Sequence, residues 1–185
     1  MPARAEAVRR QRVRIIGGAR RRLMLDFPDL PGLRPTPDRV RETLFNWLGQ
    51  RLEGWRCLDL FAGSGALGFE AASRGAAEVV LVERDARAVA SLSRNAERLG
   101  LPGLTVRAQD AFAYLSGDCG GFDLIFIDPP FASDLAAEAL ARAATRLRPA
   151  GRIYVEYGDR LDIAGFTVVR EGRAGRSHFC LLEAP

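Results

Sequence analysis

The chain contains no lysine, one histidine, three cysteines and no apolar run long enough to cross a membrane. The single histidine, His178, excludes a histidine-rich metal centre and leaves a catalytic dyad without a partner. Three widely spaced cysteines fit no zinc pattern and indicate reduced thiols. These counts lead us to expect no metal. Because neither a membrane span nor the apolar core of a signal peptide is present, we expect a cytoplasmic protein with no membrane association.

Arginine supplies all the strong positive charge, and it is concentrated at the amino terminus. Eight arginines lie among the first 22 residues, against a single acid, Glu6. Such a basic arm is typical of proteins that contact nucleic-acid phosphates, which arginine can bind in a bidentate manner. The alternative interpretation is a solvated tail in an arginine-rich protein.

The hydrophobic pattern predicts one domain in which strands alternate with helices. Residues 1–12 are predicted to be a basic, flexible extension, residues 13–50 a β-hairpin with a helix capped by Thr36, and residues 51–185 the core. Strands are predicted at 56–60, 78–82, 104–107, 123–127 and 152–156, and helices at 66–73, 86–99, 111–115 and 134–147. Residues 166–170 and 178–183 are predicted to form a closing hairpin. This order predicts an α/β fold with a doubly wound, Rossmann-like, mostly parallel sheet and an antiparallel carboxyl-terminal hairpin.

A glycine-rich loop follows the first core strand. Gly63, Gly65 and Gly68 satisfy G-x-G-x-x-G, and Glu83 comes 20 residues after Gly63, which together form the dinucleotide-binding fingerprint. However, Asp59 directly precedes the loop, where its charge would oppose a pyrophosphate. No group of residues suited to hydride transfer follows. A cationic cofactor without phosphate, such as S-adenosylmethionine, fits Asp59 better than NAD does, and Glu83 suits the ribose of either.

Acidic residues stand at the ends of four successive core strands, where open α/β sheets bind ligands. They are Asp59, Glu83, Asp110 and Asp128. The last of them opens the sequence Asp128–Phe131, in which two prolines end a buried strand and stiffen the backbone. A carboxylate, rigid carbonyls and an aromatic face can hold a flat ring that carries an amine. The alternative is a simple strand terminator with a core phenylalanine.

These motifs resemble those of a known group of enzymes. The Asp59–Gly65 loop, Glu83, Asp110 and Asp128–Phe131 resemble class I S-adenosylmethionine-dependent methyltransferases that act on exocyclic amines. More narrowly, residues 14–18 and 32–48 resemble the RsmD family, which methylates N2 of one guanine in 16S rRNA. The resemblance extends over about residues 13–183.

The resemblance implies roles for residues of this chain. It implies a catalytic clamp of Asp128, Pro129, Pro130 and Phe131, and cofactor binding by Arg34, Thr36, Asp59, Gly63, Gly65, Glu83, Asp110 and Ala111. The basic residues Arg14, Arg20, Arg21 and Arg22 are candidates for RNA contacts. The partner is then 16S rRNA or an assembling small ribosomal subunit, and we expect a monomer. The choice between free rRNA and the particle, and the guanine that is modified, stay open.

Three other functions remain compatible with the motifs. An adenine-N6 methyltransferase acting on RNA or DNA could use the same clamp, because Asp128 accepts hydrogen bonds from either amine. A protein-glutamine N-methyltransferase would use it too, although it has no need of a basic arm. A cofactor-binding RNA assembly factor without turnover is the alternative from a different functional class.

Overall fold

The computed structural model describes residues 10–130, 135–158 and 160–184. It begins with an antiparallel hairpin in which β1 (Arg10–Arg14) pairs with β2 (Met24–Pro28). The first strand thus starts three residues before the predicted boundary at Val13, because Arg10, Gln11 and Arg12 pair with β2. Residues 10–12 are therefore part of the folded hairpin and not of a flexible extension.

The core is a seven-stranded sheet with the order β5-β4-β3-β6-β7-β9-β8. Strands β3 to β7 run parallel, whereas β9 and β8 are antiparallel, as the strand–helix alternation predicted. The strands are β3 (Arg56–Asp59), β4 (Glu78–Glu83), β5 (Leu104–Ala108), β6 (Phe122–Ile127), β7 (Leu147–Tyr157), β8 (Thr167–Ala174) and β9 (Ser177–Glu183). The doubly wound α/β fold with a carboxyl-terminal hairpin is confirmed.

Within the described residues, five α-helices accompany the strands: α1 (Asp38–Trp47), α2 (Ala66–Ser73), α3 (Ala86–Leu99), α4 (Ala111–Ser116) and α5 (Leu135–Ala144). Helix α3 has the predicted bounds because the Asp85 carboxylate caps its first turn and Gly100 ends it in a left-handed conformation. Helix α5 ends three residues earlier than predicted, because Leu147 already belongs to β7. None of the helices in the described residues is long and apolar enough to cross a membrane.

The amino-terminal hairpin is fastened to α2 by a buried carboxylate. Backbone N–H groups of Ile16 and Gly17 each donate to Glu70 at 2.8 Å, and the Ser73 hydroxyl donates to the Gly17 carbonyl. Gly18 adopts a φ of +75°, and a Cβ there would lie 1.9 Å from the Ser73 carbonyl oxygen. Gly17 and Gly18 therefore allow the turn of the hairpin and also its close approach to α2.

Glu70 is fully buried and is paired with two arginines. Arg41 donates to one of its oxygens at 3.1 Å, and Arg74 to the other at 2.9 Å. Arg41 also donates from Nε to the Thr36 carbonyl and from Nη2 to Asp38. Since Arg41 is itself buried, this network connects the hairpin, α2 and the segment that leads into α1.

Candidate functional site

A cleft opens at the carboxyl ends of β3, β4 and β6. Asp59, Glu83 and Asp128 lie along it, as expected for parallel strands that end at one edge of a sheet. The glycine loop forms one wall, and the segment Leu30–Thr36 before α1 forms another. The cleft is therefore bounded by the core sheet on one side and by the amino-terminal segment on the other.

The glycine loop and Glu83 are joined by hydrogen bonds. The Gly63 N–H donates to Glu83 Oε2 at 3.0 Å, while the N–H groups of Arg84 and Asp85 donate to Oε1 at 2.8 Å. Gly63 has a φ of +50°, which favours glycine, and it lies opposite Leu33 of the other wall. These bonds fix the Glu83 carboxylate at the end of β4, beside the loop.

Asp59 forms the floor of the cleft and is 2% exposed. The N–H of Gly68 donates to its Oδ2 at 2.9 Å. Burial raises the pKa of Asp59 to about 7; the Gly68 hydrogen bond opposes this, and the charges of Asp128 and Glu83 add to it. A floor built of carboxylates favours a ligand that brings positive charge.

Asp128 is half-buried and bonds to a residue of the facing wall. The Thr36 hydroxyl donates to Asp128 Oδ2 at 2.9 Å. The predicted cap of α1 by Thr36 is therefore wrong: Pro37 occupies the cap position and no side chain caps the helix. The Thr36 hydroxyl donates instead to Asp128, which is 92 residues away in the sequence. Burial raises the pKa of Asp128 to about 6, against the lowering effect of this hydrogen bond.

A second carboxylate lies behind Asp128, and the sequence patterns did not identify it. Glu156 on β7 is 4% exposed and accepts a hydrogen bond from the Tyr154 hydroxyl at 2.8 Å. The side chain of Thr36 lies near enough to Glu156 to lower the pKa of its carboxyl, although the Thr36 hydroxyl donates to Asp128. The one signal in the sequence is an acid inside an otherwise apolar strand, Ile153–Tyr157.

The predicted cofactor residues do not all line the cleft in the same way. Arg34, Thr36, Asp59, Gly63, Glu83 and Ala111 line it, together with Pro129 and Pro130 of the predicted clamp. Asp110 caps α4 by accepting from the N–H groups of Phe112 and Ala113, and both bonds go to Oδ1. Gly65 has a φ of +78°, and it packs so closely against Phe69 and Leu92 that a Cβ would not fit. Phe131 lies outside the described residues.

The four arginines predicted to contact RNA differ in their surroundings. Arg14 forms an ion pair with Asp38 at 2.7 Å, and Arg20 donates to the Leu99 carbonyl. Arg21 and Arg22 are exposed. Among the described residues, no ion pair or side-chain hydrogen bond involves either of them.

The sheet order and the cleft at the carboxyl ends of its parallel strands define a Rossmann-like fold of the class I methyltransferase type. The family model described as Conserved hypothetical protein 95 matches residues 13–183. The chain therefore belongs to the RsmD family, as its sequence motifs indicated.

Relatives and solved structures agree with this placement. The Ribosomal RNA small subunit methyltransferase D of Escherichia coli K12 is 46% identical over 128 residues, which are 69% of this chain and 65% of that protein. The structure of the Escherichia coli protein yhhF superposes with a TM-score of 0.82 at 39% identity, covering 95% of this chain and 100% of that one. The 16S rRNA N2 methyltransferase RsmC of T. thermophilus, in complex with AdoMet and guanosine, gives a TM-score of 0.72 at 28% identity. That match covers 100% of this chain and 52% of RsmC.

Proposed function

We propose that the protein methylates the exocyclic N2 amine of a guanine in 16S rRNA, with S-adenosylmethionine as methyl donor. The observation that carries the proposal is the placement of Asp128 and Pro129 on the wall of an acidic cleft, beside the glycine loop. The names of its relatives support an rRNA substrate and support 16S rRNA or an assembling small subunit as the partner. Such a substrate is in keeping with a cytoplasmic location.

The residues of the cleft fit S-adenosylmethionine better than a dinucleotide. Its floor carries Asp59 and Glu83, with Asp128 close by, and these charges suit an ammonium and a sulfonium but oppose a pyrophosphate. Glu83 would hold the ribose hydroxyls and Asp59 would lie near the ammonium. Gly63 and Gly65 shape the loop beside the methionine part, Asp110 and Ala111 would bind adenine, and Arg34 and Thr36 would close over the methionine end.

The bound cofactor supplies an electrophilic methyl group on a positively charged sulfur. The chain has to supply the position and the electronic state of the amine. An exocyclic amine of guanine is a poor nucleophile, because its lone pair is delocalised into the ring. Hydrogen bonds from its two N–H groups to the Asp128 carboxylate and the Pro129 carbonyl would favour a pyramidal nitrogen whose lone pair is free to react. Positioning of this kind contributes on the order of 7–11 kcal/mol at its limit.

Asp128 would also act while the bond between the methyl carbon and the amine nitrogen forms. Positive charge develops on the amine, and the adjacent carboxylate stabilises it. The product ammonium is acidic and loses its proton readily, so no strong base is required. Pro129 and Pro130 keep this end of β6 rigid, and Phe131 would stack on the base, which is worth about 1–3 kcal/mol in base–aromatic stacks.

Exposed basic side chains support a path for the RNA backbone. Arg21 and Arg22 are exposed on the turn of the amino-terminal hairpin. A separate groove between β2 and α3 is lined by Arg10, Arg94 and Arg98, and it meets the cleft at Arg87, which lines both. This arrangement supports an RNA path that leads across the hairpin side of the molecule to Asp128.

We expect the double variant Arg21→Ala/Arg22→Ala to weaken RNA binding without affecting the cofactor. Removal of two phosphate contacts should lower the slope of log affinity against log salt by about 2. Filter binding of 16S rRNA over a series of salt concentrations measures the slope. The matched control is Arg170→Ala/Arg173→Ala on β8, the edge strand of the sheet. This control variant should leave the slope unchanged. An equal change in both double variants would mean that only the net charge matters.

The experiment that tests the proposed function uses small ribosomal subunits that lack methylation. They are incubated with the protein and S-adenosylmethionine labelled on its methyl group, and the nucleosides of the 16S rRNA are mapped by mass. We expect label on N2 of a single guanosine. Label on adenine would move the specificity to an adenine-N6 enzyme. Cofactor binding with no label on any RNA, DNA or protein amide would favour an assembly factor without turnover.

A further inference from the structure

Glu156 is a buried acid with no cationic partner in the part of the chain that the structure describes. It is 4% exposed, and none of the ion pairs among the described residues includes it. Its side chain accepts a hydrogen bond from the Tyr154 hydroxyl, and the Thr36 hydroxyl, which lies near it, donates to the Asp128 carboxylate. An isolated buried carboxylate without a counter-charge strongly favours its neutral form.

The hydrogens available to these side chains decide the protonation state of Glu156. The hydroxyl of Thr36 has one hydrogen, and it is given to Asp128. If Glu156 were ionised, both carboxylates would be acceptors only, and they would compete for that hydrogen. A proton on Glu156 removes the conflict, because hydrogen bonds can then run in one direction from Tyr154 to Glu156, to Thr36 and on to Asp128.

The surroundings of Glu156 favour its protonated form on balance. The groups that face it are Asp128 from the end of β6, Tyr154 from its own strand, Thr36 from the segment before α1, and the apolar Phe179 opposite it on β9. Burial raises the pKa of Glu156 to about 8 and the charge of Asp128 adds to the effect, while the hydrogen bonding of Tyr154 and Thr36 opposes it. Glu156 is more buried than Asp128, so the neutral, protonated form is favoured at Glu156 and the charge at Asp128.

We propose that Glu156 is a positioning residue that carries a proton in the active enzyme and thereby directs the Thr36 hydroxyl to the ionised Asp128. This inference rests on the proposed function, in which Asp128 must accept hydrogen bonds from the target amine. The rate should fall as the pH drops through about 6, since Asp128 becomes protonated. It should also fall as the pH rises through about 8, because ionised Glu156 then competes for the Thr36 hydrogen.

The variant Glu156→Gln tests the inference. Its amide can donate to Thr36 and accept from Tyr154, as a protonated glutamic acid does, but it does not titrate. We expect a single-turnover rate at neutral pH within about threefold of the wild type. In the profile of rate against pH, the fall at acid pH should be unchanged and the fall at alkaline pH should disappear; these are its acid and alkaline limbs. The control Glu183→Gln, on β9 and paired with Arg152, should keep both limbs.

Two results would overturn the inference. One is a Glu156→Gln protein that keeps the alkaline limb at the wild-type pH. The other is a Glu156→Gln protein that has the wild-type circular dichroism and melting temperature but is inactive at neutral pH. Such a result would mean that activity requires the ionised carboxylate of Glu156. A second readout needs no substrate: the infrared carbonyl band of protonated carboxylic acids at neutral pH should lose the Glu156 contribution in Glu156→Gln, while the contribution of Asp59 is common to both proteins. If that band behaves so while no RNA is methylated, the proposed function fails and the protonation of Glu156 stands.

Discussion

Replacing Asp128 with alanine is expected to lower the single-turnover rate of methyl transfer by about 10²–10³-fold, with the affinity for S-adenosylmethionine changed by less than about threefold. In the proposed function the Asp128 carboxylate accepts hydrogen bonds from the amine and offsets its developing charge, whereas other residues hold most of the cofactor. Its loss should not unfold the protein, because it removes a carboxylate whose charged form is itself disfavoured by burial. Rapid-quench assays give the rate, and calorimetric titration gives the affinity.

The variant Asp128→Asn separates the two tasks of the carboxylate. Asparagine keeps one acceptor oxygen for the amine but carries no charge, so its rate should lie between those of the wild type and the alanine variant. Asp162→Ala, at an exposed position, is the matched control and should retain the wild-type rate. If the alanine variant lost cofactor affinity in proportion to its rate, Asp128 would be a cofactor ligand and not part of an amine clamp.

The fold could be predicted wherever the local pattern and the final packing agree. Helix α3 has an acidic cap, an apolar stripe and a terminal glycine, and both of its ends were predicted. The first half of β7 was missed, because Pro149 and Gly151 interrupt the apolar pattern there and only Leu147 pairs with β6 before the register shifts. The end of α5 was misplaced for the same reason, since the chain turns into β7 before its helical pattern fades.

The site could be predicted as far as it depends on sheet topology. Parallel strands end at one edge, so Asp59, Glu83 and Asp128 had to come together once the strands were identified. Thr36 was assigned a local capping role, but a tertiary partner 92 residues away uses its hydroxyl instead. Glu156 was missed because its partners come from three separate segments of the chain, and no spacing rule connects them.

The largest effect on stability is expected from Glu70→Ala, which should lower the free energy of unfolding by about 3–5 kcal/mol. The substitution leaves Arg41 and Arg74 as buried charges with a lost partner, and it removes the acceptor of two hairpin N–H groups. Equilibrium unfolding in urea measures the loss. The control Glu138→Ala removes an exposed i,i+4 pair with Arg142 and should cost less than about 1 kcal/mol.

The consequence should extend from stability to the candidate site. Arg41 also holds the Thr36 carbonyl, and Thr36 donates to Asp128, so a loosened Arg41 displaces the wall that faces the clamp. The conservative variant Glu70→Gln keeps the side-chain volume and one acceptor, and we expect it to lose less stability than the alanine variant. A folded Glu70→Ala protein should therefore also show a reduced methyl-transfer rate at temperatures well below its melting point. Full activity in such a protein, or a stability loss no larger than that of Glu138→Ala, would show that the hairpin and Thr36 are held in place without this buried network.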